Sequence, residues 1–104
     1  DIESLDLSNN NITKINKSTD KHIENLINLS SLKIGGNNFS NLPLNLIKLT
    51  NLTFLDLNKT SIFKNQSSEK KIYRNWSIIS LLSSLTFIDL SNNEIKKINY
   101  IGTL

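Results

Sequence analysis

Apolar residues fall into four short blocks that share one phase. The segments IESLDLSNNNI (2–12), LSSLKIGGNNF (29–39), LTFLDLNKTSI (52–62) and LTFIDLSNNEI (85–95) align position by position. Each carries a large apolar residue at its first, fourth, sixth and last positions. The ninth position is asparagine in three of them, Asn10, Asn37 and Asn93, and threonine, Thr60, in the third. Alternation with a period of two predicts a short strand that buries one face. It sends Leu5 and Leu7 the same way, as it does Leu32/Ile34, Leu55/Leu57 and Ile88/Leu90. A supersecondary unit repeated along the chain predicts stacking, with these strands side by side in one parallel sheet. The chain must turn sharply after each strand. A carboxamide at the ninth position can bond the main-chain groups that the turn leaves unpaired. A buried amide left without a partner costs roughly 1–3 kcal/mol. Thr60 can supply less of this bonding, so the third turn is expected to be locally weaker.

The segments between strands differ in length. The unit starting at 29 runs 23 residues and continues with Leu42, Pro43, Leu46 and Leu49. The unit starting at 85 continues with Ile98, Ile101 and Leu104 at intervals of three. The first unit is 27 residues, and Ile23 and Leu26 are expected on a short helical turn. The third is 33 residues and holds an insertion over about 63–84. Within it Ile72, Trp76, Ile79 and Leu82 follow helical spacing. They predict a helix at about 70–83, preceded by a polar loop, KNQSSEK (64–70).

The shared pattern LxxLxLxxNxL resembles the leucine-rich repeat family, and the resemblance covers nearly the whole chain. It implies a single α/β domain over 1–104, with repeats starting at about 2, 29, 52 and 85. The architecture expected is a right-handed solenoid with short parallel strands on the concave face. Its convex face would carry 3₁₀ turns and short helices. The second repeat fits the family's 23-residue type. The fourth fits its 22-residue type, which is common in intracellular regulators, including phosphatase-binding repeat proteins. No capping motif is visible at either end, and uncapped terminal repeats expose their core. Further repeats of a longer parent chain are therefore expected on both sides.

Composition narrows the function without naming it. The 104 residues suit one small domain. They include 17 Leu, 15 Ile and 17 Asn but no Ala and no Val, a bias that points to an AT-rich genome. Eleven of the twelve basic residues are lysine, Arg74 being the other, and the net charge is +3. Arginine supplies most bidentate phosphate and guanine contacts, so a nucleic-acid surface is not expected. No apolar run is long enough to span a membrane, and no signal-peptide pattern opens the chain. Absence of cysteine removes disulfides, thiolate zinc sites and thiol chemistry together. One histidine, His22, leaves little for acid–base catalysis, and no phosphate-binding loop, dinucleotide fingerprint or metal-protease motif occurs. The expected protein is not an enzyme and needs no cofactor or metal.

The resemblance places partner binding on the exposed positions of the strands. Two lanes of side chains are expected there. Phe54 and Phe87 share one phase on neighbouring strands, and Asp6, Lys33, Asp56 and Asp89 share another. One reading is a binding patch, with aromatic anchors beside carboxylates, suited to a protein that presents apolar and basic side chains. The other is that the rings simply stack and stabilise the sheet. Trp76 and Tyr73 on the insertion could form a second surface, but an aromatic at helical spacing is more often core. Lys64, Lys70, Lys71 and Arg74 form a basic run, read as a solvated loop in preference to a membrane or acidic-partner site. His22 is read as an exposed helix-start residue.

Eight N-x-[ST] glycosylation acceptors occur, at Asn11, Asn16, Asn28, Asn38, Asn51, Asn58, Asn65 and Asn75. Several recur at equivalent repeat phases, so they are weak evidence for secretion. The expected function is a non-catalytic protein–protein interaction module acting through the concave face in the cytoplasm. The alternative is a secreted or cell-surface recognition domain, resembling internalin-type bacterial adhesins.

Overall fold

The computed structural model describes residues 2–13, 25–39, 41–63 and 69–93. Four strands of three residues each, β1 (Ser4–Asp6), β2 (Ser31–Lys33), β3 (Phe54–Asp56) and β4 (Phe87–Asp89), form one sheet in the order β1-β2-β3-β4. Every neighbouring pair is parallel. The register sets Leu5 beside Leu32, Leu32 beside Leu55, and Leu55 beside Ile88. Strands this short cannot persist alone, and the ladder runs on beyond them. The N–H of Leu7 donates to the Lys33 carbonyl (2.8 Å), that of Ile34 to Asp56 (3.0 Å), and that of Leu57 to Asp89 (2.9 Å). One turn further on, Asn9, Gly36 and Lys59 donate to Gly35, Asn58 and Ser91. These are the stacked parallel strands that the shared phase of the four segments predicts.

The inward-facing pairs bury unequally. Leu32, Ile34, Leu55 and Leu57 are all in the core, whereas Leu5, Ile88 and Leu90 are half-buried and Leu7 is exposed. The two inner strands have a neighbour on each side and the two outer ones on a single side. Burial follows that position and not residue type.

Segments between the strands close the core from behind. After β2, Pro43 precedes a 3₁₀ helix, Leu44–Lys48. Its Leu46 is buried, as are the flanking Leu42 and Leu49. Proline suits this entry, because its fixed φ matches the extended backbone observed there (φ −68°, ψ 133°). Helix α1 (Glu69–Ser80) follows β3 and packs against the 3₁₀ helix. It buries Trp76, Ile78 and Ile79, with Leu82 just beyond its end. The helix stops at Ser80, short of the 83 suggested by the spacing. Its last turn tightens there: Leu81 N–H reaches both Ser77 and Ile78, and Leu82 N–H reaches Ile79. Trp76 stacks on Phe63 at 4.6 Å between ring centroids. It is therefore core and not surface. Ile23, Lys64, Ile98, Ile101 and Leu104 lie outside the described residues, as do Asn16, His22 and Asn65.

The turns after the strands share two devices. The first is a left-handed backbone at one phase of all four repeats: Asn9 (φ 59°), Gly36 (68°), Lys59 (53°) and Asn92 (60°). Glycine and asparagine tolerate this conformation, and lysine does so at a cost. At Gly36 an added Cβ would lie 1.9 Å from the Asn9 Oδ1. The second device is the carboxamide that follows. Asn37 Oδ1 accepts the N–H groups of Asn10 (2.9 Å) and Ile12 (3.0 Å) in the repeat before it. Its Nδ2 donates back to Leu7 (2.9 Å) and to its own Ile34 (3.0 Å). Asn93 does the same for the third repeat. It accepts the Thr60 N–H (2.9 Å) and donates to the carbonyls of Leu57 (2.8 Å) and Leu90 (3.0 Å).

At Thr60 this side-chain ladder is interrupted. Its hydroxyl donates forward to Asn93 Oδ1 (2.8 Å), and among the described residues it makes no bond back to the second repeat. A cavity of about 360 Å³ opens beside it, lined in part by Asn37, Lys59, Thr60 and Asn93. Ser61 still bonds back, its N–H to the Phe39 carbonyl (3.1 Å) and its hydroxyl to Asn38 Oδ1, and α1 adds a second bridge between these two repeats. Asn75 Oδ1 accepts the Leu42 N–H (3.0 Å) of the second repeat, and its Nδ2 donates to the Ile62 carbonyl (2.9 Å) of the third. Arg74 adds a bond from Nη1 to the Leu42 carbonyl (2.8 Å).

Two stability measurements follow from these bonds. Lys59→Asn with Thr60→Asn restores both turn devices, and the urea midpoint should rise by the equivalent of about 1–2 kcal/mol. Asn75→Ala strands a buried donor and a buried acceptor, and the same measurement should fall by about 2–4 kcal/mol.

Candidate functional site

The face of the sheet opposite the core is set by the residues that alternate with the buried leucines. The register brings Phe54 beside Phe87, Asp6 beside Lys33, Lys33 beside Asp56, and Asp56 beside Asp89. All six residues singled out from the sequence therefore occupy one surface. Neighbouring positions lie about 5 Å apart across the strands.

The two rings are nearly parallel and stacked, with centroids 4.6 Å apart and planes 7° from parallel. Phe54 is half-buried between its neighbours, while Phe87 remains 49% exposed. Lys33 leans over from β2 to place Nζ 5.9 Å from the centre of the Phe54 ring. Ring faces carry negative electrostatic potential, so an ammonium at that distance is attracted. The stack thus already holds one cation of the chain's own on the β2 side.

The carboxylate lane is tied to the turns. Asp6 Oδ1 accepts the Ser8 N–H (3.0 Å) and the Ser8 hydroxyl. Asp56 Oδ1 accepts the Asn58 N–H (2.8 Å). Asp89 Oδ1 accepts the Ser91 N–H (2.9 Å) and hydroxyl. Asn58 Nδ2 in turn donates to Ser91 Oγ. The Ser8 hydroxyl and N–H hold the Asp6 carboxyl below the usual aspartate range, with a smaller contribution from the Lys33 charge. The Ser91 hydroxyl and N–H do the same for Asp89, helped by Asn58. Three carboxylates against one ammonium leave this face acidic on a chain whose net charge is +3.

The second repeat breaks the pattern as a unit. Lys33 replaces the aspartate, and Gly35 replaces the serine or asparagine that caps it. Gly35 is expected from its phase to line the open face, but it is buried. A Cβ there would lie 2.6 Å from the Asn58 carbonyl oxygen. The backbone of the third repeat fills the place a side chain would take.

The family model described as Leucine Rich Repeat matches residues 1–26 and 84–104. Among solved structures, the chain is similar to an internalin from Listeria monocytogenes, with 25% identity and a TM-score of 0.59. In sequence over those two regions, and in fold over nearly its whole length, the chain is similar to leucine-rich repeat proteins. The match takes in 99% of this chain but 32% of that internalin, so the chain spans about a third of its length. No curated protein matches the sequence.

Leucine-rich repeat domains are typically non-catalytic protein-interaction modules. Among the described residues, no group of three His, Cys, Asp or Glu is placed to hold a metal ion. No helix among them is long and apolar enough to cross a membrane. Tyr73 is exposed on α1, and Arg74 is engaged with Leu42. The residue that sequence reasoning missed is Asn75. The sequence presents it only as a glycosylation acceptor, yet it is fully buried and bridges two repeats. Its position inside the apolar spacing of the insertion helix, one residue before Trp76, was the available signal.

A pH titration checks the turn bonding of the carboxylates. By NMR, the carboxyl groups of Asp6 and Asp89 should titrate below an unfolded-peptide reference, and Ser91→Ala should move Asp89 back toward it. Folded pKa values lowered in this way stabilise the fold above the unfolded pKa, and that contribution is lost as pH falls through the folded value. Stability from these two groups should be flat from about pH 6 to 8 and decline only in acid.

Proposed function

We propose that the chain binds a protein partner through the concave face of its sheet. The Phe54–Phe87 stack is the anchor, and Asp6, Asp56 and Asp89 around Lys33 select a partner bearing basic side chains. The observation that carries this reading is the exposed, flat-stacked Phe87 beside an acidic lane. A ring packed only for sheet stability has no need of that setting. Lys33 over Phe54 supports the choice of a basic partner, because the same aromatic pair already attracts an ammonium group. Aromatic anchors contribute most of the energy at protein interfaces, and charge complementarity sets the encounter rate and excludes wrong partners. The partner is protein, not nucleic acid.

A second reading puts this binding at the cell surface, as a recognition or adhesion domain. It is favoured by the likeness to an internalin over nearly the whole chain. Cytoplasmic placement, expected from the sequence, and cell-surface placement use the same residues and differ in which proteins the face meets.

The test is capture from native lysate, followed by titration of the purified captured protein against the chain and its variants. Phe54→Ala with Phe87→Ala should weaken binding at least about tenfold, with the circular dichroism unchanged. Asp89→Lys should also weaken it and flatten its dependence on salt. Tyr73→Ala, on the helix, should leave it as it is. Equal affinity for the double variant would sink the proposal and return the aromatic pair to sheet packing.

A further inference from the structure

Eight glycosylation acceptors in 104 residues invite the conclusion that this chain is built for an asparagine-glycosylating secretory route. The structure sorts these sites by what their carboxamides do. Asn11, Asn28, Asn38 and Asn51 are exposed. Asn58 is half-buried, with its Nδ2 turned toward Ser91 on the strand side. Asn16 and Asn65 lie outside the described residues. Asn75, in the acceptor Asn75-Trp76-Ser77, is unlike the rest.

Asn75 has no exposed surface. Its Oδ1 accepts the Leu42 N–H at 3.0 Å, and its Nδ2 donates to the Ile62 carbonyl at 2.9 Å. The next residue, Trp76, is buried in its stack with Phe63. A glycan is joined through the asparagine Nδ2, the atom that donates to Ile62. A sugar ring there would need a volume that the core does not contain, and protein interiors are packed without voids of that size. Pushing the carboxamide out to solvent would strand the Leu42 N–H and the Ile62 carbonyl and remove this bridge between the second and third repeats. Asn51 and Asn58 also engage Nδ2, with the Ile27 carbonyl and the Ser91 hydroxyl, but those bonds lie on exposed or half-exposed side chains and not in the core.

We infer that a glycan at Asn75 and the native fold exclude each other, so that the working protein carries none there. A transferase that reached Asn75 before folding would trap the chain outside the native state, and one that met the folded chain would pass this site by. Asn75 therefore does not count toward a glycosylated extracellular domain, whatever happens at the exposed acceptors. The inference does not rest on the proposed binding face.

The experiment uses an asparagine glycosyltransferase that accepts N-x-[ST], applied to the folded and to the urea-unfolded chain. The unfolded sample is then returned to buffer. The native and non-native pools are separated, and each site is mapped by mass spectrometry. Glycans at Asn28 and Asn51 should appear in both pools and on the chain modified while folded. A glycan at Asn75 should appear only on chain modified while unfolded, and only in the non-native pool. Ser77→Ala removes the acceptor and keeps the Asn75 side chain, and should enlarge the native pool. Asn75 glycan in the native pool at the same occupancy as in the non-native pool would overturn the exclusion. A glycan at Asn75 in native protein isolated from its own source would overturn it as well.

Discussion

Everything in this fold depends on main-chain groups in the turns finding partners in the next repeat. A strand of three residues has too few bonds to define itself, and the chain reverses direction immediately after it. The turns would bury unpaired amides if nothing met them. Carboxamides meet them: Asn37 accepts two N–H groups from the repeat before, Asn93 accepts the Thr60 N–H and hydroxyl, and both donate to carbonyls on both sides. With that bonding in place, the leucines beneath can pack as a continuous column. Without it, each buried amide would cost about as much as a buried leucine methyl or two contributes.

The same constraint shapes the open face. Each aspartate of the acidic lane uses one carboxylate oxygen to bind the backbone two residues on, where its strand enters the turn. Structural and recognition roles are thus combined in one side chain. The capping bond orients the carboxylate and keeps Asp6 and Asp89 ionised, and the charge faces outward. Lys33 and Gly35 depart together in the second repeat, because the Asn58 carbonyl presses where a capping side chain would stand. The break in the lane delivers the one cation to the aromatic stack.

Much of this was legible in the sequence. The period-two leucines placed all four strands, and the shared phase aligned their faces, so the Phe54–Phe87 adjacency could be read before any geometry. Burial was less legible. Leu5 and Leu7 read the same as Leu55 and Leu57, yet their exposure depends on how many neighbours a strand has, which no local pattern encodes. The left-handed turn position was written in the sequence as Asn9, Gly36 and Asn92, but Lys59 obscured it. Asn75 was hidden for another reason. A glycosylation acceptor and a buried bridging carboxamide are spelled with the same letters, and only long-range packing tells them apart.

The exchange between Thr60 and Asn75 bears on modularity. Repeat arrays can commonly be lengthened or shortened by whole units, because each unit offers its neighbours the same fittings. The third unit here does not. Its strand is interchangeable with the others, but its helix is keyed to Leu42 of the unit before it through Arg74 and Asn75. Copying it elsewhere in the array would carry a clasp with nothing to close on, and excising it would leave the Leu42 amide and carbonyl open. Moving the third unit without the second would therefore break the bonds at Leu42.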